Sequence, residues 1–199
     1  MYRAMPMPGD DTDFHILFVC TGNICRSPLA ERLTRSALGA CPAFQVTSAG
    51  THAERGRAMT EHARRVLVRL GGDPGGFVSR RLTPDLVAAA DLVLTATARH
   101  RAEAVAGHLP AATRAFTIAE FGALARAVPA ERIAGHRDPV RRARALVAEA
   151  RALRGLVRVD RPDIPDPYRR SRWAYRAAGR GIARSLAVPL RLLTQSSTS

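Results

Sequence analysis

One stretch of the chain concentrates the groups able to do chemistry: Val19-Cys20-Thr21-Gly22-Asn23-Ile24-Cys25-Arg26-Ser27-Pro28. Cys20 ends a short apolar run, His15-Ile-Leu-Phe-Val19, which reads as a buried strand of a parallel sheet. The carboxyl end of such a strand is where open α/β sheets bind ligands. In a six-residue turn entering a helix, successive backbone N–H groups form a nest for an oxyanion, and the helix dipole adds about half a positive charge there. Arg26 can clamp two oxygens of that anion through its planar guanidinium. These surroundings predict a thiol with a depressed pKa, largely thiolate at neutral pH, with the Ser27 hydroxyl donating to it. Gly22 and Asn23 are residue types that tolerate the positive φ of a tight anion-cradling loop. The chemistry predicted is attack by sulfur on a bound oxyanion; the plainer alternative is that Cys20 merely packs as a small hydrophobe.

Cys-x5-Arg by itself is a weak pattern, because the 199 residues include 31 Arg. Of the three cysteines, however, only Cys20 has Arg six positions on; Glu31 and Thr47 follow Cys25 and Cys41. The chain has no Lys, and 17 Asp plus Glu leave a net charge of +14. Without Lys there is no Walker A loop, protein-kinase ATP site, Ser-x-x-Lys hydrolase or Schiff-base chemistry. A pI near 11.5 points at face value to nucleic acid. Complete replacement of Lys by Arg, with only 5% aromatic residues and none interleaved with Arg as a stacking platform, reads instead as compositional drift. Three cysteines make no disulfide framework, and Cys20-x4-Cys25 lacks the second ligand pair of a zinc site, so neither metal nor cofactor is expected. Residues 1–13 read as a disordered leader without a signal-peptide apolar region, and no window is apolar enough to span a membrane. A cytoplasmic protein with reduced thiols is expected.

The elements that must position these groups alternate. Ser27-Pro28 reads as the start of a helix to Leu38, with Ser27 as N-cap. Strands follow at Phe44 to Ala49, Asp91 to Thr97 and Thr113 to Ile118. Helices are expected over residues 57–70, Arg99 to Leu109, 138–155 and Ser171 to about Ala187, the last ended by Pro189. Segment 122–137 reads as a long polar insertion. Alternating strands and helices predict a single α/β domain over 14–193, a Rossmann-like four-stranded parallel sheet with helices on both faces, diverged over 122–160 and followed by a flexible tail over 194–199. Arg172, Arg176, Arg180 and Arg184 form a basic stripe on the last helix opposite Tyr175, Ile182, Leu186 and Leu193. Trp173 falls near the Arg side, where it can cover the cleft edge.

The segment FVCTGNICRSPLAE, Phe18 to Glu31, resembles the signature of the low-molecular-weight protein tyrosine phosphatases of bacterial type. Ser48-Ala49-Gly50-Thr51, Asp91 to Thr97 and Asp163-Ile164-Pro165-Asp166-Pro167-Tyr168 resemble that family's second-strand end, third strand and acid loop, in the family's order. The resemblance implies that Cys20 attacks phosphorus while Arg26 and the amides of Thr21, Gly22, Asn23, Ile24 and Cys25 hold the phosphate. Asp166 then protonates the leaving phenolate and activates the water that hydrolyses phosphocysteine. Asp163 is the rival acid, without the Asp-Pro-aromatic context. Tyr168 would stack on the phosphotyrosine ring, or be a partly buried core aromatic. Asn23, Ser27 and Ser48 would support the loop. Cys25 is either the partner of a reversible disulfide with Cys20, as the family implies, or a packing cysteine. Phe77 departs from the family, which often has His there in the loop-supporting network; Arg169-Arg170 depart from its aromatic or glycine.

The implied partners are phosphotyrosine proteins, among them a bacterial tyrosine kinase, and not nucleic acid. Two activities share the fold. Arsenate reductase needs further cysteines than Cys41. In protein-arginine phosphatases the position of Ile24 is typically Thr and small residues follow the acid-loop aromatic, so Ile24 and Arg169-Arg170 favour phosphotyrosine. A non-enzymatic basic module for nucleic acid is a third reading, which the joint presence of nucleophile, clamp and acid opposes.

Overall fold

A computed structural model describes residues 12–39 and 41–194. The expected leader over 1–13, save its last two residues, and the expected tail over 194–199, save Thr194, lie outside the described residues. Four parallel strands, β1 (Phe14–Cys20), β2 (Phe44–Gly50), β3 (Leu92–Thr95) and β4 (Ala115–Thr117), form a sheet in the order β2-β1-β3-β4. The chain therefore steps outward from β1 in both directions, and the switch point lies beside β1, whose last residue is Cys20.

Side chains alternate across the sheet. Phe14, Ile16 and Phe18 enter a large core with Leu92, Leu94 and Phe116, under helices α1 (Arg26–Leu38), α2 (Glu61–Arg69), α5 (Ile118–Ala127), α7 (Pro139–Ala152) and α8 (Arg172–Thr194). Leu17, Val19 and Val93 enter a smaller core on the other face, under α3 (Pro84–Ala88) and α4 (Ala98–Gly107). A strand buried on both faces is apolar at nearly every position, here all but His15, which is why β1 was readable without a period-2 pattern.

The structure corrects several boundaries. α1 begins at Arg26, with Cys25 in the N-cap position and no side-chain cap. Ser27 is inside the helix and buried, its hydroxyl turned to Cys20 and Asn23 instead of to a backbone N–H. α2 begins only at Glu61, capped by the Thr60 hydroxyl on the Ala63 N–H. The supposed insertion starts as α5: Thr117 ends β4 and at once caps α5 in a capping box with Glu120, so no loop separates strand from helix. A short helix, α6 (Glu131–Ala134), follows. α3 had no counterpart in the sequence reading.

Pro189 does not end α8, which runs to Thr194 with Pro189 buried inside it. Proline has no N–H for the carbonyl four residues back, here that of Ser185. That stretch of backbone lies directly against Gly122 of α5, where a Cβ would overlap the Ser185 carbonyl. Burial of Leu192 and Leu193 beyond the proline holds the last turn on the core. Among the described residues, no helix is long and apolar enough to cross a membrane.

Candidate active site

The turn after β1 is suspended from its neighbours by its carbonyls. Those of Cys20, Thr21 and Ile24 accept the N–H groups of Thr51, His52 and Thr60, each at 2.9 Å. Across a trans peptide the next N–H points the opposite way, so the amides of Thr21, Gly22 and Cys25 point away from these neighbours, into the concave side of the loop. Asn23, at φ 51°, makes the left-handed turn; Gly22 was read as sharing this task but does not adopt positive φ. The glycine that matters most is Gly50 at the end of β2. A Cβ there would lie 2.5 Å from the Thr21 carbonyl oxygen and 2.8 Å from the Asn23 nitrogen.

Behind the loop lies a polar network of buried side chains. The Asn23 amide donates to Ser27 Oγ at 2.9 Å and to Ser48 Oγ at 2.8 Å, and its Oδ1 accepts the Arg80 N–H at 2.9 Å. Ser48 Oγ donates to Glu31 Oε2 at 2.6 Å, while Arg80 Nε donates to the Ser48 carbonyl at 2.7 Å. Glu31 is buried beside Arg35, at 3.4 Å. Phe77, the departure from the family, takes no part: it is packed in the core with the Arg32 guanidinium 5.7 Å above its ring.

Cys20 is 2% exposed and forms the floor of a cleft of about 250 Å³, its Sγ 2.9 Å from Ser27 Oγ. Thr21, Gly22, Ile24, Cys25 and Arg26 also line the cleft, with Asp166 and Tyr168 on its wall; Asn23, Ser27 and Ser48 stand behind the loop. Arg26 is 4% exposed. Its Nη1 donates to the Ile164 carbonyl at 3.1 Å and its Nη2 pairs with Asp166 Oδ2 at 2.9 Å. Its buried Nε has no hydrogen-bond partner among the described residues, a donor suited to an oxyanion oxygen.

The segment carrying Asp166 is tied to the end of β3. The Ile164 N–H donates to the Ala96 carbonyl at 2.8 Å. Asp163 Oδ1 accepts the Ala98 N–H at the start of α4, 2.8 Å. Asp166 Oδ1 accepts the Tyr168 N–H at 3.1 Å across Pro167. Of the two candidate acids, Asp163 is thus engaged with a helix end, and Asp166 faces the thiol cleft with half its side chain exposed. Tyr168 is 45% exposed, which excludes the core-aromatic alternative.

All three cysteines are free thiols. Cys25 Sγ lies 3.3 Å from Thr60 Oγ1 and 3.9 Å from the Tyr175 hydroxyl of α8. Burial pushes its thiol above the ordinary range, outweighing those two hydrogen bonds. Tyr175 is raised as well, chiefly by burial.

Sequence reasoning missed His100, whose imidazole bridges the loop to α4. Nε2 is 2.9 Å from Thr21 Oγ1 and Nδ1 is 2.8 Å from Thr97 Oγ1. Burial first, then the charge of Arg26, lowers its pKa below 6.5. The unfolded chain therefore binds the proton at a higher pH than the native one, and stability must fall as pH drops below 6.5 towards the lower native value. We expect urea midpoints measured between pH 7.5 and pH 5 to decline less steeply in His100→Gln than in the parent. Equal slopes would show that this group carries no linkage.

The model of the low molecular weight phosphotyrosine protein phosphatases matches residues 15–152. The low molecular weight protein-tyrosine-phosphatase Etp of Escherichia coli K12 is 40% identical over 91 residues, 46% of this chain and 60% of Etp, so the match spans under two thirds of that relative. A protein-arginine-phosphatase of Geobacillus stearothermophilus is 35% identical over 108 residues, covering 54% of this chain and 71% of its own. In three dimensions the crystal structure of the Erwinia amylovora tyrosine phosphatase AmsI superposes with a TM-score of 0.67 over 91% of this chain and 93% of its own, at 24% identity. With β1, the cysteine loop and the Asp166 segment in the order read from the sequence, the chain belongs to the low molecular weight phosphotyrosine protein phosphatase family.

Proposed function

We propose that the protein is a phosphoric monoester hydrolase that removes phosphate from tyrosine residues of proteins through a phosphocysteine intermediate. The observation that carries this reading is the convergence on one cleft of Cys20, the Arg26 guanidinium and the Asp166 carboxyl. A phosphate seated over Cys20 meets the loop amides and Arg26 at its equatorial oxygens. The thiolate, the nucleophilic form of cysteine, attacks phosphorus in line as the P–O bond to the phenol breaks. Asp166 gives its proton to the departing phenolate oxygen, then takes one from the water that attacks phosphocysteine, releasing phosphate and restoring the thiolate. Arg26 holds Asp166 through Nη2 until a phosphate competes for the same nitrogen.

Ile24 and Tyr168, which flank the cleft, favour an aromatic substrate. The similarity to a protein-arginine-phosphatase keeps phosphoarginine as a second reading, but a guanidinium substrate would enter past Arg57, which lines the cleft. The remaining assignments in this proposal are loop support by Thr21, Asn23, Cys25, Ser27 and Ser48, a cytoplasmic location, and a tyrosine kinase or its substrates as partners. The test is release of phosphate from phosphotyrosine, phosphoserine and phosphoarginine peptides of one sequence. Turnover of phosphotyrosine at least tenfold above the other two is expected; turnover of phosphoarginine alone would overturn the substrate assignment.

A further inference from the structure

The composition of the chain changes abruptly at the acid loop. Asp166 is its last acidic residue, and the 33 positions that follow hold seven arginines. Elsewhere several exposed arginines are neutralised locally, as in Arg57–Glu54, Arg64 and Arg65–Glu61, Arg99–Glu103 and Arg132–Glu149. Among the described residues, Arg169, Arg170, Arg172 and Arg176 pair with no carboxylate. Instead, three of these guanidiniums lie on aromatic faces: Arg169 over Tyr168 at 5.4 Å, and Arg172 and Arg176 over Trp173 at 5.4 and 4.8 Å. A guanidinium resting on a ring face is held in place yet keeps its N–H edge for a carboxylate.

This surface begins at the cleft. Tyr168 lines the wall above Cys20, and Arg169 follows in the left-handed region at φ 58°, reversing the chain into α8. At 3.8 Å per residue, the Cα of Arg172 is at most about 15 Å from that of Tyr168, the length of roughly four or five residues of extended peptide. Trp173 is 58% exposed.

We propose that this Arg-on-aromatic face docks acidic residues located two to five positions from the phosphotyrosine of a protein substrate. The proposal rests on the phosphatase reading and specifies its substrate class. A membrane is the poorer occupant. The apolar side of α8, at Tyr175, Ile182, Leu186 and Leu193, is buried in the core, and Arg172 and Arg176 lie over the Trp173 ring, so no apolar face is left to enter lipid. Compositional drift towards Arg does not explain the face either, since drift would not remove Asp and Glu from one end of the chain.

The test uses the full chain and three phosphotyrosine peptides of equal length whose flanking positions carry Asp and Glu, Gln and Ser, or Arg. At 50 mM salt the acidic peptide should exceed the neutral one on the order of tenfold in kcat/KM, through KM, and the basic peptide should fall below it; at 300 mM salt the gap should narrow severalfold. Two separate double variants, Arg169→Asn with Arg170→Gln and Arg172→Gln with Arg176→Gln, should each shrink the acidic-to-neutral ratio; asparagine is chosen at 169 because it accepts positive φ. Equal kcat/KM for acidic and neutral peptides at low salt would overturn the proposal, as would a ratio untouched in both variants. Turnover of p-nitrophenyl phosphate reports the phosphatase reading separately. Should no substrate turn over, that reading fails and docking is read from fluorescence anisotropy of the same peptides on Cys20→Ser, where equal affinities would overturn the inference. Retention on vesicles containing 30% phosphatidylserine that is lost in the variants, without any peptide preference, would give the face to membranes.

Discussion

Cys20→Ser should abolish turnover of phosphotyrosine peptides, with an expected loss on the order of 10⁴-fold or more, while the thermal midpoint should stay close to that of the parent. The substitution changes one atom at a site that is 2% exposed, and a serine oxygen keeps the hydrogen bond to Ser27. What disappears is the sulfur nucleophile on which the proposed phosphocysteine intermediate depends. Cys25→Ser is the internal comparison. Its sulfur faces Thr60 and Tyr175 and its burial holds the thiol in the protonated form, so most of the activity should survive. Turnover that persists in Cys20→Ser, or vanishes equally in both, would remove Cys20 from the role of nucleophile.

Asp166→Asn should slow kcat by roughly 10²- to 10⁴-fold, the range for loss of a general acid. The loss depends on the leaving group. It is large for a phenolate of high pKa, such as tyrosine, and small for p-nitrophenolate, which departs without protonation. Asp163→Ala separates the two neighbouring carboxyls. Its Oδ1 holds the Ala98 N–H of α4, so this variant should lose about 1 kcal/mol of stability and little of its chemistry. Denaturant midpoints and steady-state kinetics on the same two proteins make the comparison. A leaving-group-independent loss in Asp166→Asn, or a larger kinetic loss in Asp163→Ala, would reassign the acid.

The parts of the site that are contiguous in the chain were legible in its sequence. β1, the turn and the start of α1 lie in one stretch, where an apolar run, Gly-Asn and Arg-Ser-Pro each constrain the backbone locally. The parts that meet across the fold were not. His100 reaches Thr21 from 79 positions away and Arg80 reaches Asn23 from 57; a lone His on an Arg/Ala helix and one Arg among 31 carry no local mark. Glu31 carries no local mark of its partner, because its burial against Ser48 depends on the register Phe18↔Ser48 between β1 and β2. The error at Pro189 had the same origin, because packing of α5 against α8 supplies what local preference withholds. The loopless junction at Thr117 differs: Thr117-x-x-Glu120 is a local capping signature, placed directly at the end of a strand.

The contact between Arg26 and Asp166 has a consequence for selectivity. At rest Nη2 of the guanidinium already holds a tethered carboxylate, so an anion that uses this nitrogen enters by exchange, and its gain there is the difference between two ligands of one cation. A singly charged ester resembles the carboxylate it displaces and gains little. On the phosphatase reading, a phosphomonoester dianion would bring twice the charge and three oxygens for the nest, and its arrival would free Asp166 to take up a proton and turn towards the leaving group. The intramolecular competitor would then act as a threshold, admitting the ligand whose cleavage requires the group it releases.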